Sequence, residues 1–300
     1  MRIRISIFLF LLLPVGLCAQ IPCTSYTQVP YTSYTTPYTS HTTLYIAYPS
    51  PTFSEAFLQF GNKERDRIFI DYGNLYNRHN VKNYGLALLG AGVMANTKID
   101  GNFQAWHGNQ VRTDFSNDFS KVSKVFGEGK YFIPVMVTSA LSYRFAQEKW
   151  GLADCTLGDF TDRTMRGYLV GAPALLSMQL ILGGDRPAGE KGSHWRPFRK
   201  DHGVSGHAFM GAVPFITAAQ MTDRPLAKGV FYTLSTFCAW SRVNDDAHYL
   251  SQALLGWYLA YLSVRAVSQT EQGRLSLPRG LTIFPVTENQ SIGAGLFYQY

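Results

Sequence analysis

The stretch that decides the fold runs from residue 203 to residue 221 and reads GVSGHAFMGAVPFITAAQM. Ser205 is of a residue type that caps helix N-termini, and Gly206 lets a ligand approach the backbone closely. The apolar run from Ala208 to Ala219 follows at once, so the stretch predicts a helix that starts beside a small polar loop. The free N–H groups of its first turn would face an anion.

Five further apolar segments are bounded by Gly, Pro, Asn or Asp. We expect helices near 84–97, 131–147, 165–182, 228–241 and 247–267, in addition to 207–221. Most are shorter than the ~20 apolar residues that cross a bilayer, although 166–184 and 248–267 approach that length. The sequence therefore predicts an all-α helical bundle of about six core helices, with a soluble or membrane-apposed surface.

The two ends of the chain differ from this pattern. Residues 1–19 combine Arg2 and Arg4 with an apolar stretch and small residues before Gln20, which predicts a signal peptide and export to the periplasm or cell envelope. Residues 20–52 are rich in Thr, Tyr and Pro and predict a linker. Residues 53–270 would form the helical domain, and the strand-like residues 271–300 predict a small C-terminal β-hairpin.

Charge and cysteine content narrow the classes of partner. The net charge of +7 favours anionic partners, but the basic residues are scattered without a Lys/Arg stripe, so nucleic acid is not expected as a partner. Cys23 and Cys155 could pair after export, whereas Cys238 lies in an apolar run and is predicted to be a core residue. No Cys-x-x-Cys spacing occurs, so the sequence does not support a cysteine zinc site.

Three short segments between residues 179 and 252 offer anion-binding chemistry. The segment 183–187 (GGDRP) ends a long apolar stretch and holds the guanidinium of Arg186, which can bind phosphate oxygens. Ser205-Gly206-His207 opens the next helix and puts a proton donor beside a bound anion. Arg242 is followed six residues later by His248, and the polar residues between them break the helix, which places His248 in the first turn of the following one.

In this order, the segments resemble the signature of the superfamily of type-2 phosphatidic-acid phosphatases, bacterial acid phosphatases and vanadium haloperoxidases. That signature is Lys-x6-Arg-Pro, then Pro-Ser-Gly-His, then Ser-Arg-x5-His-x3-Asp. The chain departs from it where Gln179 replaces Lys, Val204 replaces Pro and Gln252 replaces Asp. Arg196-Pro197 is a competing first segment, but it lies close to Ser205, so we prefer Arg186. The resemblance covers roughly the second half of the mature chain.

The resemblance implies a metal-independent phosphatase that needs no cofactor, and the predicted signal peptide implies that it is exported. His248 would attack phosphorus and form a phosphohistidine, while His207 would protonate the leaving group and then activate water. The phosphoryl group would be bound by Gln179, Arg186, Ser205, Gly206 and Arg242. Gln252 would orient the His248 ring without supplying the charge of a carboxylate, so we expect slower chemistry. The expected partner is a phosphorylated small molecule or a lipid phosphate, with a membrane surface as a further partner.

Other readings of the same residues stay open. A vanadate-dependent haloperoxidase would hold vanadate in the same pocket. A phosphate- or lipid-headgroup-binding protein would keep the pocket without turnover, which the replacements at Gln179 and Gln252 motivate. A metallohydrolase would use His194, His202, His207 and Asp201, although these lack a recognised ligand spacing. The charge lost at Gln179 could be restored by Lys191, Arg196, Arg199 or Lys200, and Gly127-Glu128-Gly129 could border the mouth of the site.

Overall fold

The computed structural model describes residues 53–150, 156–189, 192–273, 280–288 and 291–299. The predicted signal peptide and the Thr/Tyr/Pro-rich linker lie outside the described residues, as do Cys23, Cys155 and Lys191. The described chain forms an α-helical bundle followed by a two-stranded hairpin. This confirms the fold class that the apolar segments predict.

Nine α-helices make up the described part of the bundle. In chain order they are α1 (Phe53–Leu75), α2 (Arg78–Asn96), α3 (Ile99–Gln110), α4 (Asp114–Ser123), α5 (Gly129–Trp150), α6 (Thr156–Leu182), α7 (Gly206–Gln220), α8 (Pro225–Asn244) and α9 (Leu250–Glu271). Helices α2 and α5 to α9 correspond to the six predicted segments. The predicted segments do not include α1, α3 and α4. Helices α3 (IDGNFQAWHGNQ) and α4 (DFSNDFSKVS) bury mainly polar residues, and in α4 the apolar stripe of Phe115, Phe119 and Val122 is not the buried face.

Helix α7 is the central element of the bundle and packs against α6, α8 and α9. All of its residues from Gly211 to Ala219 are buried, including Pro214. A helix that is apolar around its whole circumference belongs inside a core. The N-terminal end of this buried helix therefore sets the position of Ser205 and His207.

A group of buried ion pairs joins α1, α5, α6 and α9. Arg166 of α6 is fully buried and binds both carboxylate oxygens of Asp71 at 2.7 Å, and it also pairs with Glu271 at the end of α9. Arg144 of α5 pairs with the buried Asp162 at 2.8 Å. Arg166 lies 16 residues before the C-terminal end of α6, so these ion pairs are about 24 Å along the helix from that end, at 1.5 Å per residue. Because an unpaired buried charge is costly, these pairs constrain how the four helices meet.

The outward face of α2 carries exposed Leu86, Leu89 and Val93, spaced as one stripe along the helix. Leu176 and Leu180 are similarly exposed on α6. Among the described helices, α6 has the length and composition that would allow it to cross a membrane, and 39% of its most apolar window is buried inside the bundle. Core helices of soluble proteins meet the same criteria, so this is weak evidence for a membrane span.

The C-terminal residues form two antiparallel strands, β1 (Gly280–Glu288) and β2 (Ser291–Gln299). Gly280 pairs with Gln299 and Glu288 with Ser291. The strands correspond to the segments 281–286 and 291–300 that the sequence predicts to be extended: β1 is one residue longer at its start and two at its end, and β2 is described to Gln299.

Candidate active site

The three predicted segments meet where α6 ends, α7 begins and α8 passes into α9. Helix α6 ends at Leu182 because Gly183 and Gly184 follow in left-handed conformations, with φ of 58° and 122°. A side chain at position 183 is excluded, since a Cβ there would lie 2.0 Å from the carbonyl oxygen of Arg196. The chain then reaches the α8–α9 turn, where the N–H of Ala188 donates to the carbonyl of Asp246 at 3.3 Å.

Residues 193–205, which we call the strap, are tied to the last turn of α6 by main-chain hydrogen bonds. The N–H of Arg196 donates to the carbonyl of Leu182 at 3.0 Å, and the N–H of Gly203 donates to that of Gln179 at 3.4 Å. The last carbonyls of a helix have no intrahelical partner, so the strap satisfies them. This attachment fixes the end of the strap, which leads directly into α7.

Ser205 is the N-cap of α7: its Oγ accepts from the N–H of Ala208 at 3.2 Å. Its own N–H donates to the carbonyl of Gln252 in α9 at 3.0 Å. Gly256 of α9 lies against this loop, because a Cβ there would be 2.3 Å from the Ser205 carbonyl oxygen. The N–H groups of Gly206 and His207 belong to the first turn of α7, where an anion is the natural acceptor.

The α8–α9 turn carries Arg242 and His248. The N–H groups of Ala247 and His248 both donate to the carbonyl of Arg242 at 3.0 Å, and Asp246 is left-handed with φ of 52°. Helix α9 begins at Leu250 with Tyr249 as its extended N-cap. His248 therefore precedes α9, and the prediction that it lies in the first helical turn is wrong. The reason is that Asp246 is left-handed and Tyr249 is extended, so the helix begins only after both.

The N-terminus of α9 is occupied by a side chain of the protein. Asp100 of α3 is fully buried, accepts from the N–H of Ser251 at 3.1 Å and accepts from the Ser251 hydroxyl. A helix N-terminus favours a negative charge, and here Asp100 supplies it. The N-terminus of α9 is therefore already paired with a carboxylate of the protein.

His248 is 6% exposed and is held by the first turn of α9. Its Nδ1 lies 2.9 Å from Oε1 of Gln252. Because an amide oxygen can only accept, Nδ1 carries the hydrogen and Nε2 keeps its lone pair. Burial lowers the pKa of His248 to about 3, against the effect of the hydrogen bond that Nδ1 donates to Gln252, and the charges of Arg186 and Arg242 lower it further. The imidazole is neutral near pH 7 and has a free nucleophilic nitrogen.

His207 lies under the influence of the same two arginines. Burial lowers its pKa, as do the charges of Arg242 and Arg186, while the carboxylate of Glu128 acts in the opposite direction. Arg242 is buried, pairs with Asp245 at 3.2 Å, and has an Nε without a hydrogen-bond partner. Arg186 is exposed. The structure thus brings His207, His248 and the two predicted arginines into one electrostatic environment.

Gly127 and Glu128 border this environment. A Cβ on Gly127 would lie 2.7 Å from the carbonyl oxygen of His207, which also accepts from the thiol of Cys238 at 3.0 Å. Cys238 is buried, and burial raises the pKa of its thiol to about 12, so the thiol stays protonated as a donor. The segment that connects α4 to α5 is therefore packed against the first turn of α7.

Gln179 lies behind the strap. Its Nε2 donates to the carbonyl of Val204 at 3.1 Å, so one of its two amide hydrogens supports the loop and the other is left for a ligand. Arg196 and Lys200, two of the predicted replacements for the missing charge, each pair with the buried Asp185 at 3.1 Å. Asp185, which precedes Arg186, therefore holds both of these partly exposed cations.

Residues of α3 hold the α8–α9 turn, and sequence reasoning missed them. The Nε2 of Gln104 donates to Oδ1 of Asp246 at 2.6 Å, and Nη1 of Arg112, just beyond α3, pairs with Oδ2 at 2.6 Å. These partners are separated by 142 and 134 positions in the chain. No local pattern could reveal them.

His202 is also part of the site. Its ring lies 6.3 Å from the ring of His248, centroid to centroid. The sequence suggests His202 only as a metal ligand, together with His194, His207 and Asp201. Within the described part of the chain, no group of three or more His, Cys, Asp or Glu side chains is arranged to hold a metal ion.

Comparison with known proteins agrees with the three segments. Residues 167–275 match the model of a family described as the PAP2 superfamily. No curated protein and no solved structure matches the chain significantly. The matched region runs from within α6 past the end of α9 and includes every predicted site residue, which supports the general class of phosphoric ester hydrolase. The match confirms the resemblance seen in the three segments: residues 167–275 are similar to the PAP2 superfamily.

Proposed function

We propose that the protein is a metal-independent phosphatase that works through a phosphohistidine at His248. The observation that carries the proposal is a buried, neutral His248 whose Nδ1–H is held by Gln252, beside the cations of Arg186 and Arg242. This combination supplies a nucleophile and the charge to stabilise its target. Export to the periplasm or cell envelope is part of the proposal and rests on residues 1–19.

In the first step, Nε2 of His248 forms a bond to phosphorus while the bond to the leaving oxygen breaks, and His207 gives that oxygen its proton. In the second step, water attacks phosphorus, His207 takes a proton from the water, and the bond to His248 breaks. The N–H groups of Gly206 and His207 and the two arginines stabilise the phosphoryl oxygens throughout. The products are an alcohol and inorganic phosphate.

We further propose that the substrate is a lipid phosphate, on the basis of a cavity beside the α8–α9 turn. The cavity has a volume of about 250 Å³ and lies between α3, α8 and α9; its lining is Phe103, His107, Thr236, Ala239, Trp240, Val243, Leu250, Ala253, Leu254 and Trp257. Val243 and Leu250 flank Arg242 and His248 in the chain. A largely apolar cavity next to a phosphate site suits a hydrocarbon group attached to that phosphate.

The lining of this cavity offers hydrocarbon contacts only. His107 is 3% exposed, and neither of its ring nitrogens has a hydrogen-bond partner in the described residues. These nitrogens contribute no surface to the cavity, so His107 presents only carbon atoms to a hydrocarbon group. The exposed leucines of α2 and α6 suit a membrane surface as the source of the lipid.

The chemical step is tested by phosphate release from p-nitrophenyl phosphate with and without chelator. We expect chelator-resistant release, an acid-labile radiolabelled phosphoprotein after rapid quenching, and loss of both in His248→Asn. His194→Ala, an exposed histidine of the strap, is the matched control and retains both. Vanadate binding without any turnover would contradict the phosphatase and favour a binding protein.

The lipid substrate is tested by a charge placed in the cavity. Leu254 of α9 is 46% exposed and lines the cavity. Leu226 is 83% exposed and lies at the start of α8, at the end of that helix away from the α8–α9 turn. We expect Leu254→Glu to lower kcat/KM for phosphatidate in mixed micelles about 10-fold or more, with little change for p-nitrophenyl phosphate. Leu226→Glu changes neither. Equal loss on both substrates in Leu254→Glu would overturn the lipid assignment.

A further inference from the structure

The strap holds a third histidine next to the nucleophile. His202 is half-buried and precedes Gly203, whose N–H is bonded to the end of α6. Two further main-chain bonds, from Arg196 to Leu182 and from Phe198 to Leu180, fix the strap on the far side of His202. Its position is therefore set by the main chain on both sides and does not depend on a freely moving loop.

The ring of His202 meets the ring of His248 edge-on. The two planes are nearly perpendicular, at 88°, with centroids 6.3 Å apart. On its other side, Nδ1 of His202 lies 3.0 Å from Oδ1 of Asp201. A carboxylate only accepts, so Nδ1 carries a hydrogen and Nε2 is the nitrogen left for another partner.

Positive charge around His248 acts against a proton on its ring. Burial lowers the pKa of His248, and the charges of Arg186 and Arg242 lower it further. The cations that disfavour a proton on the nucleophile are the groups that favour a dianionic phosphoryl group at the same nitrogen. The carboxylate facing His202 is that of Asp201, which is exposed.

We propose that His202 is a phosphoryl-binding residue of this site, an inference that rests on the proposed function. As an imidazolium, it donates Nδ1–H to Asp201 and Nε2–H to a non-bridging oxygen of the phosphoryl group held at His248. It supplies the positive charge that the superfamily signature places at lysine, where this chain has Gln179. The amide of Gln179 supports the carbonyl of Val204, so a neighbouring residue of the strap takes over the charge.

The test uses the full chain with vanadate as the binding probe and p-nitrophenyl phosphate as the substrate. We expect His202→Ala to raise the vanadate Kd and lower kcat/KM by about 10- to 100-fold, the range for a lost charge-assisted hydrogen bond. His202→Lys restores the cation and recovers most of both quantities. His202→Phe keeps the packing against His248 without a donor and recovers neither, and His194→Ala stays at wild-type values. Thermal unfolding of each variant identifies losses that come from misfolding.

Three results would overturn the assignment. Wild-type vanadate affinity and kcat/KM in His202→Ala would mean that the ring does not touch the phosphoryl group. Recovery in His202→Phe but not in His202→Lys would assign a packing role. If the wild-type protein releases phosphate, either of these two results overturns the role of His202 and leaves the proposed function intact. The third result is a folded wild-type protein that neither binds vanadate nor releases phosphate, and it overturns both proposals.

Discussion

Gln252 connects three parts of the site, and Gln252→Leu tests whether this connection positions the nucleophile. Its Oε1 accepts from Nδ1 of His248 at 2.9 Å and from the N–H of Tyr249 at 3.1 Å, and its Nε2 donates to the carbonyl of Asp185 at 3.1 Å. Leucine has a similar volume but removes all three hydrogen bonds. The histidine, the N-cap of α9 and the loop that leads to Arg186 would lose their common partner.

The size of the effect follows from burial. Gln252 is 1% exposed, so water cannot replace its hydrogen bonds. An unpaired buried group costs about 1–3 kcal/mol, and three such groups after partial relaxation cost about 3–5 kcal/mol. At about 2–4 °C per kcal/mol for a domain of this size, the Tm falls by roughly 6–20 °C. The share that falls on His248, about 1–3 kcal/mol, corresponds to about a 5- to 150-fold loss of kcat.

The assay combines thermal unfolding by circular dichroism with kcat for p-nitrophenyl phosphate. Gln220→Leu is the matched control, because Nε2 of Gln220 makes one hydrogen bond to Tyr232 at 2.7 Å at the opposite end of α7. We expect that control to lose about 1 kcal/mol and to keep its kcat. A Tm shift below about 2 °C in Gln252→Leu, with unchanged kcat, would refute the positioning role.

Gln252→Glu separates geometry from charge. An ionised carboxylate would still accept from His248 and would raise the pKa of its ring. It would also place a negative oxygen where Nε2 now donates to the carbonyl of Asp185. We therefore expect Gln252→Glu to be less stable than wild type near neutral pH, so the glutamine is the residue that fits this structure and the carboxylate is not.

Three further predictions concern the pH profile, the α8–α9 turn and the buried ion pairs. The pKa of His207 is lowered from its ordinary 6.5, and the pKa of His248 lies at about 3. We therefore expect kcat/KM to be maximal on the acid side of pH 6.5 and to fall as His207 loses its proton. A maximum at alkaline pH would contradict the roles given to these two residues. Asp246→Gly keeps the left-handed turn but loses the bond to Arg112, so kcat/KM for p-nitrophenyl phosphate falls about 10- to 100-fold by misplacement of His248, and no loss would dissociate the turn from catalysis. Arg166→Met leaves buried carboxylates without their partner, so we expect the free energy of unfolding to fall by about 3–5 kcal/mol, while kcat below the Tm stays at the wild-type value. An unchanged Tm in thermal unfolding would show that these ion pairs do not stabilise the fold.

Much of the fold could be read from the chain because its core helices have apolar periods. The run from Ala208 to Ala219 and five comparable segments identify helices that the bundle contains. Helices α3 and α4 could not be read in the same way, since they bury Asp100, Gln104 and small polar residues whose partners come from distant parts of the chain. Their burial is stabilised by hydrogen bonds that exist only after the bundle has formed.

The candidate site likewise has features that the sequence predicts and features that depend on contacts between helices. The order Arg186, His207, Arg242 and His248 is visible in the sequence because residue types and spacing carry it, and the family match covers that order. The spacing does not carry the conformation of the turn: α9 starts two residues after His248, and Asp100 takes the helix N-terminus. Both depend on contacts between helices.

By itself, the sequence determined an all-α bundle, the resemblance to the PAP2 superfamily and the order of the candidate site residues, because helix period and motif order are local properties of the chain. Only the tertiary structure decided that Gln252, already assigned to His248 by the resemblance, also bonds Tyr249 and Asp185. It alone decided that Gln104 and Arg112 hold Asp246, and that His202 lies beside the ring of His248. Most of these contacts join residues far apart in the chain, and the others depend on a turn and a strap that the packed helices hold in place. A hydrogen bond between two elements requires both to be positioned first, and that positioning comes from burial around α7.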